Sequence, residues 1–256
     1  MTKSKIIIGE TMGTYILIMF GCGSISLAIN FEFLNSLYQV ALFWTVGVTL
    51  GIYTSKKLSG AHINPCFSIS ALINKEINLL QFLIYIFSQL SGAILAAITI
   101  FLLSRHKIIN YNLETASIYG EYFPNPSNPD IITSTNQAFL AELSSSFLLI
   151  FIILIIINIK KLQNYSPILI GILVGVLICF YAPYTQCCMN PARDFGPRLV
   201  SYFLGWEEFA FKYNNLGWLK VYIIAPLVGA SLATISAILC SSAKASSSWR
   251  VSSNSI

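Results

Sequence analysis

Apolar residues in this chain come in long unbroken runs rather than in alternation. Six of them, at about 6–29, 38–55, 79–103, 137–158, 165–183 and 220–241, are long enough to cross the roughly 30 Å hydrocarbon layer of a bilayer as helices rising about 1.5 Å per residue. Two shorter runs break the series. One opens at Asn64-Pro65 and ends near Ile73, before Lys75-Glu76; the other opens at Asn190-Pro191 and ends near Leu204, before Glu207-Glu208. Asn accepts hydrogen bonds from the orphan N–H groups of a helix start, and Pro suits the first helical position, so each pair is expected to start a helix. Helices this short cover only about half of the layer. The pattern therefore predicts an all-α membrane protein with six transmembrane helices and two re-entrant half-helices.

The chain also repeats itself once. Glu10 stands early in the first span and Glu142 early in the fourth; Gly47 and Gly51 in the second span answer Gly171 and Gly175 in the fifth; Gln89 to Gly92 in the third answers Pro226 to Gly229 in the sixth. Three spans per unit is an odd number, so the second copy enters from the opposite face and the internal repeat is inverted. The units cover about 6–103 and 137–241 of a single transmembrane domain. Between them lies a polar connector at about 104–136, with a Pro-Asn-Pro-Ser-Asn-Pro run at 124–129, expected to be an ordered extracellular loop. A Ser-rich tail at about 242–256 reads as disordered. Inversion brings the two half-helices in from opposite sides to meet near the middle of the membrane.

Composition agrees with this reading and narrows it. Hydrophobic residues make up 55% of the 256, charged residues only 10%, and mean hydropathy is +0.71, which excludes a soluble domain. With both termini cytoplasmic, nine of the fifteen Lys and Arg residues fall inside, as the positive-inside rule asks. Glu114, Glu121, Asp130, Glu207 and Glu208 then lie outside. The first span is too long for a signal peptide, and no cleavage is expected. The net charge of +5 is spread over short loops and gives no nucleic-acid surface. All six cysteines (Cys22, Cys66, Cys179, Cys187, Cys188 and Cys240) sit in or beside apolar runs and read as free thiols, with no metal-site spacing. Only two histidines are present, His62 and His106, without the partners of a catalytic set, so neither an enzyme nor a cofactor is expected.

Candidate chemistry gathers where the half-helices meet. The side-chain oxygens of Asn64 and Asn190 are committed to capping, which leaves their NH2 groups free to donate outward. Both helix dipoles aim positive ends at this point, opposing cations and protons. The preceding stretches, Ser59 to Ile63 and Thr185 to Met189, must be non-helical, and carbonyls at this depth are tolerated only against protein or a water-filled cavity. Gly60, Ala61, His62, Ile63, Gln186, Cys188 and Met189 thus make a ladder of acceptors opposite apolar wall residues, a pairing that suits a small polyol.

Gly60-Ala-His-Ile-Asn-Pro65 and Met189-Asn-Pro-Ala-Arg-Asp-Phe-Gly-Pro-Arg198 closely resemble the two signature segments of the major intrinsic protein family, and the resemblance runs from about Gly9 to Leu239. Asp194 and the Pro-Asn-Pro of the connector resemble its aquaglyceroporin branch, the glycerol facilitators. The resemblance implies an aquaporin-like right-handed bundle in the cell membrane, assembled as a homotetramer with one pore per protomer. It also implies a passive channel for glycerol and other small uncharged polyols, and for water, that excludes protons and ions. Carried onto this sequence, it makes Trp44, Ile178, Cys187 and Arg193 the selectivity filter, with Arg193 as the pore's only charge. The central motifs become Asn64-Pro65-Cys66 and Asn190-Pro191-Ala192, while Glu10 and Glu142 brace the non-helical segments. Cys66 stands where Ala is usual, and Ile178 and Cys187 stand where bacterial glycerol facilitators carry Gly and Phe. Two alternatives stay open: a secondary transporter for a small neutral solute, which also uses inverted repeats and broken helices, and a channel mainly for water or urea.

Overall fold

The computed structural model describes residues 2–128 and 130–251, with side chains as far as Ser241. Among the described residues every regular element is a helix and there is no strand. The first half contains α1 (Lys3–Ile29), α2 (Leu37–Ser59), α3 (Pro65–Ile73) and α4 (Leu79–Ser104). A short α5 (Leu113–Ala116) lies in the connector. The second half contains α6 (Thr135–Asn158), α7 (Ser166–Thr185), α8 (Pro191–Phe203), the short α9 (Glu207–Ala210) and α10 (Gly217–Leu219), and α11 (Ala225–Val251), which a π-helical turn at Lys220–Ile224 joins to α10. Among the described residues six helices are long and apolar enough to cross a membrane, and their boundaries fall within a few residues of those read from hydropathy. Pro129, the last residue of the connector's proline run, and the tail beyond Val251 lie outside the described residues. The backbone of α11 continues through the first ten residues of the stretch read as a disordered tail.

Polar caps placed between apolar runs decide where the spans begin. Ser36, Asn78 and Ser134 each accept from the backbone N–H three residues on, while Gln39, Gln81 and Gln137 reach back to the cap residue's own N–H. These reciprocal bonds satisfy two of the orphan donors at each helix start.

The two half-helices have 9 and 13 residues. At about 1.5 Å per residue they measure roughly 13 and 20 Å, so the two end to end match one hydrocarbon thickness. Packing is crossed between the halves. α3 lies against α11, where Thr234 Oγ1 donates to Ser70 Oγ at 2.8 Å, and α8 lies against α4. Each half-helix is thus sheltered by the last span of the other repeat. Within the halves, α1 packs on α2 and α4, α6 packs on α7 and α11, and α2 meets α7 between them.

Close approach at two matched seams explains the matched glycines. A Cβ on Gly92 would stand 2.3 Å from the Thr11 carbonyl oxygen of α1, and one on Gly229 would stand 2.2 Å from that of Leu143 on α6. Backbone rather than a movable side chain sets both limits, so Gly92→Val is expected to force α4 off α1. Monodisperse folded protein in detergent gel filtration should fall to a small fraction of the wild-type yield.

Candidate functional site

A cavity of about 300 Å³ lies between α2, α6 and α7 on one side and the two segments preceding Asn64 and Asn190 on the other. Helical periodicity builds the first wall. Trp44, Val48, Ile52 and Lys56 on α2, Leu149, Ile153 and Ile157 on α6, and Ser166, Ile170, Val174 and Ile178 on α7 recur every four residues, so each helix presents one stripe. From Trp44 to Lys56 the α2 stripe extends about 18 Å at the helical rise. Gly60 to Asn64, Gln186 to Asn190, and Arg193 supply the second wall. One side of the passage is therefore greasy and the other is main chain. Lys56 marks one end, donating to the Gln163 carbonyl at 3.3 Å and to Ser166 Oγ at 3.2 Å.

The main-chain wall has the same construction in both repeats, to the residue. Counting back from each Asn, left-handed backbone falls at the fourth, third and first positions: Gly60, Ala61 and Ile63 in one segment (φ 84°, 59° and 43°), and Gln186, Cys187 and Met189 in the other (φ 64°, 66° and 49°). Five of these six are not glycine, and each such residue costs on the order of 1–2 kcal/mol. Two buried carboxyl groups offset that cost by gathering the N–H groups the turns leave without helical partners. Glu10 accepts from the N–H of His62 at 3.0 Å and of Ile63 at 2.6 Å, and from Ser59 Oγ at 2.5 Å. Glu142 accepts from the N–H of Cys188 at 2.9 Å and of Met189 at 3.0 Å, and from Thr185 Oγ1 at 2.7 Å. The repeats differ behind this frame. Gln89 Nε2 adds a donor to Glu10 at 2.8 Å and a second bond to Ser68 Oγ, which also meets the His62 ring. Pro226, its counterpart in the second half, has no such group.

At the centre each Asn side chain does two things. The oxygen of Asn64 caps α3 through the Cys66 N–H at 2.8 Å, and that of Asn190 caps α8 through the N–H groups of Ala192 at 3.1 Å and Arg193 at 3.3 Å. The amides are not wholly free to face a solute, as the sequence reading had them. Asn64 Nδ2 donates to the Met189 carbonyl at 2.9 Å, and Asn190 Nδ2 donates to the Ile63 carbonyl at 3.0 Å. One N–H of each amide staples the repeats together, which leaves the other, and Ile63 and Met189 spend acceptor capacity on each other's repeat rather than only on the passage. Pro65, Cys66, Pro191 and Ala192 are buried behind the caps and do not line the cavity.

Trp44, Ile178, Cys187 and Arg193 come together at the end of the cavity opposite Lys56. The Arg193 guanidinium lies 4.7 Å from the centre of the Trp44 ring, and its Nη1 lies 3.5 Å from Cys22 Sγ. Space for the indole comes from Gly21, where a Cβ would stand 2.3 Å from the ring. The Cys187 thiol rests 3.6 Å from the Leu177 carbonyl, beside Ile178, whereas the Cys188 thiol turns back toward the carbonyls of Asn190 and of Tyr222 in the π-helical turn.

One residue at this end was missed, and the assignment of Arg193 as the only charge is corrected with it. Glu121, expected among the exterior acids, is buried, lines the cavity and forms an ion pair with Arg193 Nη2. The connector reaches inward because its backbone is tied there. Asp194 Oδ1 accepts from the Glu121 N–H at 2.7 Å, Arg198 Nη2 donates to the Glu121 carbonyl, Gln186 Oε1 accepts from the Tyr122 N–H at 2.7 Å, and Asn125 Nδ2 donates to the Ala182 carbonyl at 2.6 Å. Asp194 itself stays behind the cavity and is paired with Arg198 at 2.7 Å. A lone acid among aromatics, in Ile118-Tyr-Gly-Glu-Tyr-Phe123, was the available signal.

Comparison with known proteins agrees with this geometry. The family model described as "Major intrinsic protein" matches residues 1–236. The chain belongs to the major intrinsic protein family. Among relatives of this major intrinsic protein, the glycerol uptake facilitator protein of Pseudomonas aeruginosa is 32% identical, over 88% of this chain and 84% of its own. The propanediol uptake facilitator PduF of Citrobacter freundii is 31% identical, over 87% of each. Among solved structures, the aquaglyceroporin from Plasmodium falciparum superposes with a TM-score of 0.79 at 26% identity, over 91% of this chain and 94% of its own.

Glu142→Gln tests the bracing of this family member's second segment. An amide in place of the carboxyl turns one acceptor into a donor facing backbone N–H groups, so the loss is expected on the order of 3 kcal/mol, from unmet buried donors. A lowered thermal unfolding midpoint in detergent would register it, and an unchanged midpoint would remove Glu142 as a brace.

Proposed function

We propose that this major intrinsic protein is a passive channel for glycerol and related small uncharged polyols, with water permeability and without passage of protons or ions. The observation that carries the reading is the two-sided passage. A triol lying against aliphatic stripes from α2, α6 and α7 keeps its carbon backbone on the apolar side and its hydroxyls toward the carbonyls of the Asn segments and the Arg193 guanidinium. Two of the relatives named above are called facilitators of glycerol and propanediol uptake, which agrees with a diol or triol as permeant.

Exclusion of cations follows from the centre. α3 and α8 point their N-termini at the Asn pair, and each carries roughly half a positive charge there. A dehydrated cation arriving from either side meets that field with no carboxyl group at the crossing point, because Glu10 and Glu142 are turned to the backbone behind it. Neither of those acids, which a coupled transporter would use as a proton relay, lines the cavity.

The same reading gives a multi-pass protein of the cell membrane with both termini cytoplasmic, supported by the distribution of Lys and Arg. By family resemblance it is a homotetramer with a pore in each protomer.

Stopped-flow measurements on proteoliposomes decide the main point: glycerol should equilibrate at least about ten times faster than in empty vesicles, without saturating acceleration of exchange. Trans-accelerated counterflow, or alkalinisation accompanying uptake, would mean a carrier instead. Mercurial reagents should block the flux through Cys187, whose thiol sits at the filter beside Ile178. Cys187→Ser should remove most of that block and Cys188→Ser should not; the reverse pattern would take Cys187 out of the wall.

A further inference from the structure

A second cavity, of about 370 Å³, lies apart from the passage at the end of the bundle where the connector leaves α4. The last turns of α1 form its floor, Phe43 of α2 one bank, and Ile100 and Leu103 of α4 the other. Leu103 is 63% exposed, so the groove is open sideways, toward the bilayer. We propose that it binds one anionic phospholipid of the leaflet on that side, with an acyl chain in the groove and the phosphate on Arg105 and Lys107. This needs only the membrane-spanning fold and is independent of what the passage conducts.

Three observations carry it. First, the groove offers nothing to a polar guest. Its three serines are already committed: Ser24 Oγ donates to the Gly21 carbonyl at 2.6 Å, Ser104 Oγ donates to the Ile100 carbonyl at 2.8 Å, and Ser26 Oγ accepts from Asn30 Nδ2 at 3.1 Å. Hydrocarbon fills such a space without leaving a polar group unmet, whereas a polar guest would lose its own hydrogen bonds there.

Second, the floor is left open. A Cβ on Gly23 would meet nothing within 4 Å, whereas one on Gly21, two residues earlier, would stand 2.3 Å from the Trp44 ring. Glycine inside a helix is unfavourable, and at Gly23 no neighbour requires it. What it supplies is room. From Leu27 back to Met19 the floor runs about 12 Å at the helical rise, inward from the helix end, as a lipid chain runs from its head group.

Third, cations stand at the mouth. α4 ends at Ser104, a groove residue, and Arg105, His106 and Lys107 follow it, all exposed. Lys107 Nζ lies 6.0 Å from the centre of the Phe31 ring, which belongs to the groove wall, and the His106 ring meets the same ring edge-on at 5.9 Å. Neither Arg105 nor Lys107 has an acid partner. The ion pairs among the described residues are those of Arg193, Arg198 and Lys212, and Glu32 and Glu114, the acids nearest in sequence to Phe31 and Lys107, join none of them. Two unpaired cations over an apolar groove complement a phosphodiester above an acyl chain, the guanidinium as a fork and the ammonium as a point charge. A second copy of this chain covering the groove would have to bring carboxylates to the same place.

The test is native mass spectrometry of the full chain in detergent, titrated with phosphatidylglycerol or phosphatidylcholine of equal chain length and read as the first lipid bound per protomer. The wild type should retain phosphatidylglycerol at about tenfold lower lipid concentration. Lys107→Gln should weaken that binding about fivefold, and Arg105→Gln with Lys107→Gln about twentyfold, with phosphatidylcholine unaffected. Both positions are exposed, so folding is not at stake in these variants. Gly23→Leu fills the groove and should weaken both lipids at least tenfold. No retention of either lipid, equal retention of the two, or undiminished phosphatidylglycerol binding in the double charge variant overturns the head-group contact. Undiminished binding in Gly23→Leu overturns the groove, and if that variant also loses copies per particle the occupant is a second copy instead. Should Gly23→Leu not purify, the charge variants decide alone.

Discussion

Non-helical backbone at mid-membrane must find partners for every N–H, because no bulk water is there to supply them. Two buried carboxyl groups meet that demand here. Glu10 and Glu142 each take two successive N–H groups and one hydroxyl, holding left-handed residues in place in the two segments that line the cavity. The N–H groups of these segments are thereby retired to the rear, onto acids that do not line the cavity.

The crossed amide bonds of Asn64 and Asn190 complete the arrangement. Each ties the start of one half-helix to the last carbonyl before the other, so the position of either helix tip is set by the opposite repeat. The symmetry is close at the level of main-chain geometry and loose at the level of side chains. Gln89, Ser68 and His62 form a polar cluster behind Glu10, while Pro226, the counterpart of Gln89, gives Glu142 no such donor. Inverted duplication has kept the offsets of caps, turns and braces and let the packing behind them diverge.

Much of this was legible in the sequence, for physical reasons. The six spans follow from apolar runs of membrane length, and the ends of α3 and α8 from the Asn-Pro starts and the charged residues that stop each run. Glu10 and Glu142 stood out as acids in apolar spans, and it was the family resemblance that made them braces. What stayed hidden depends on contacts without periodicity. Nothing local in Ala61, Ile63, Gln186, Cys187 or Met189 announces a left-handed backbone, since these conformations are imposed by the bonds to Glu10 and Glu142. Nor does a loop acid declare that it folds inward. Glu121 reaches Arg193 only because Asp194, Arg198 and Gln186, distant in sequence, hold the connector down.

The exchange of partners between the halves bears on how the molecule is made. α3 is a short apolar helix whose shelter, α11, leaves the ribosome after five other spans, so the half-helix stays unsupported on that flank until α11 is made. The closing of α11 over α3 therefore waits until the five earlier spans have been made. A nascent chain stopped before residue 217 would hold five spans in the bilayer and still lack a finished passage.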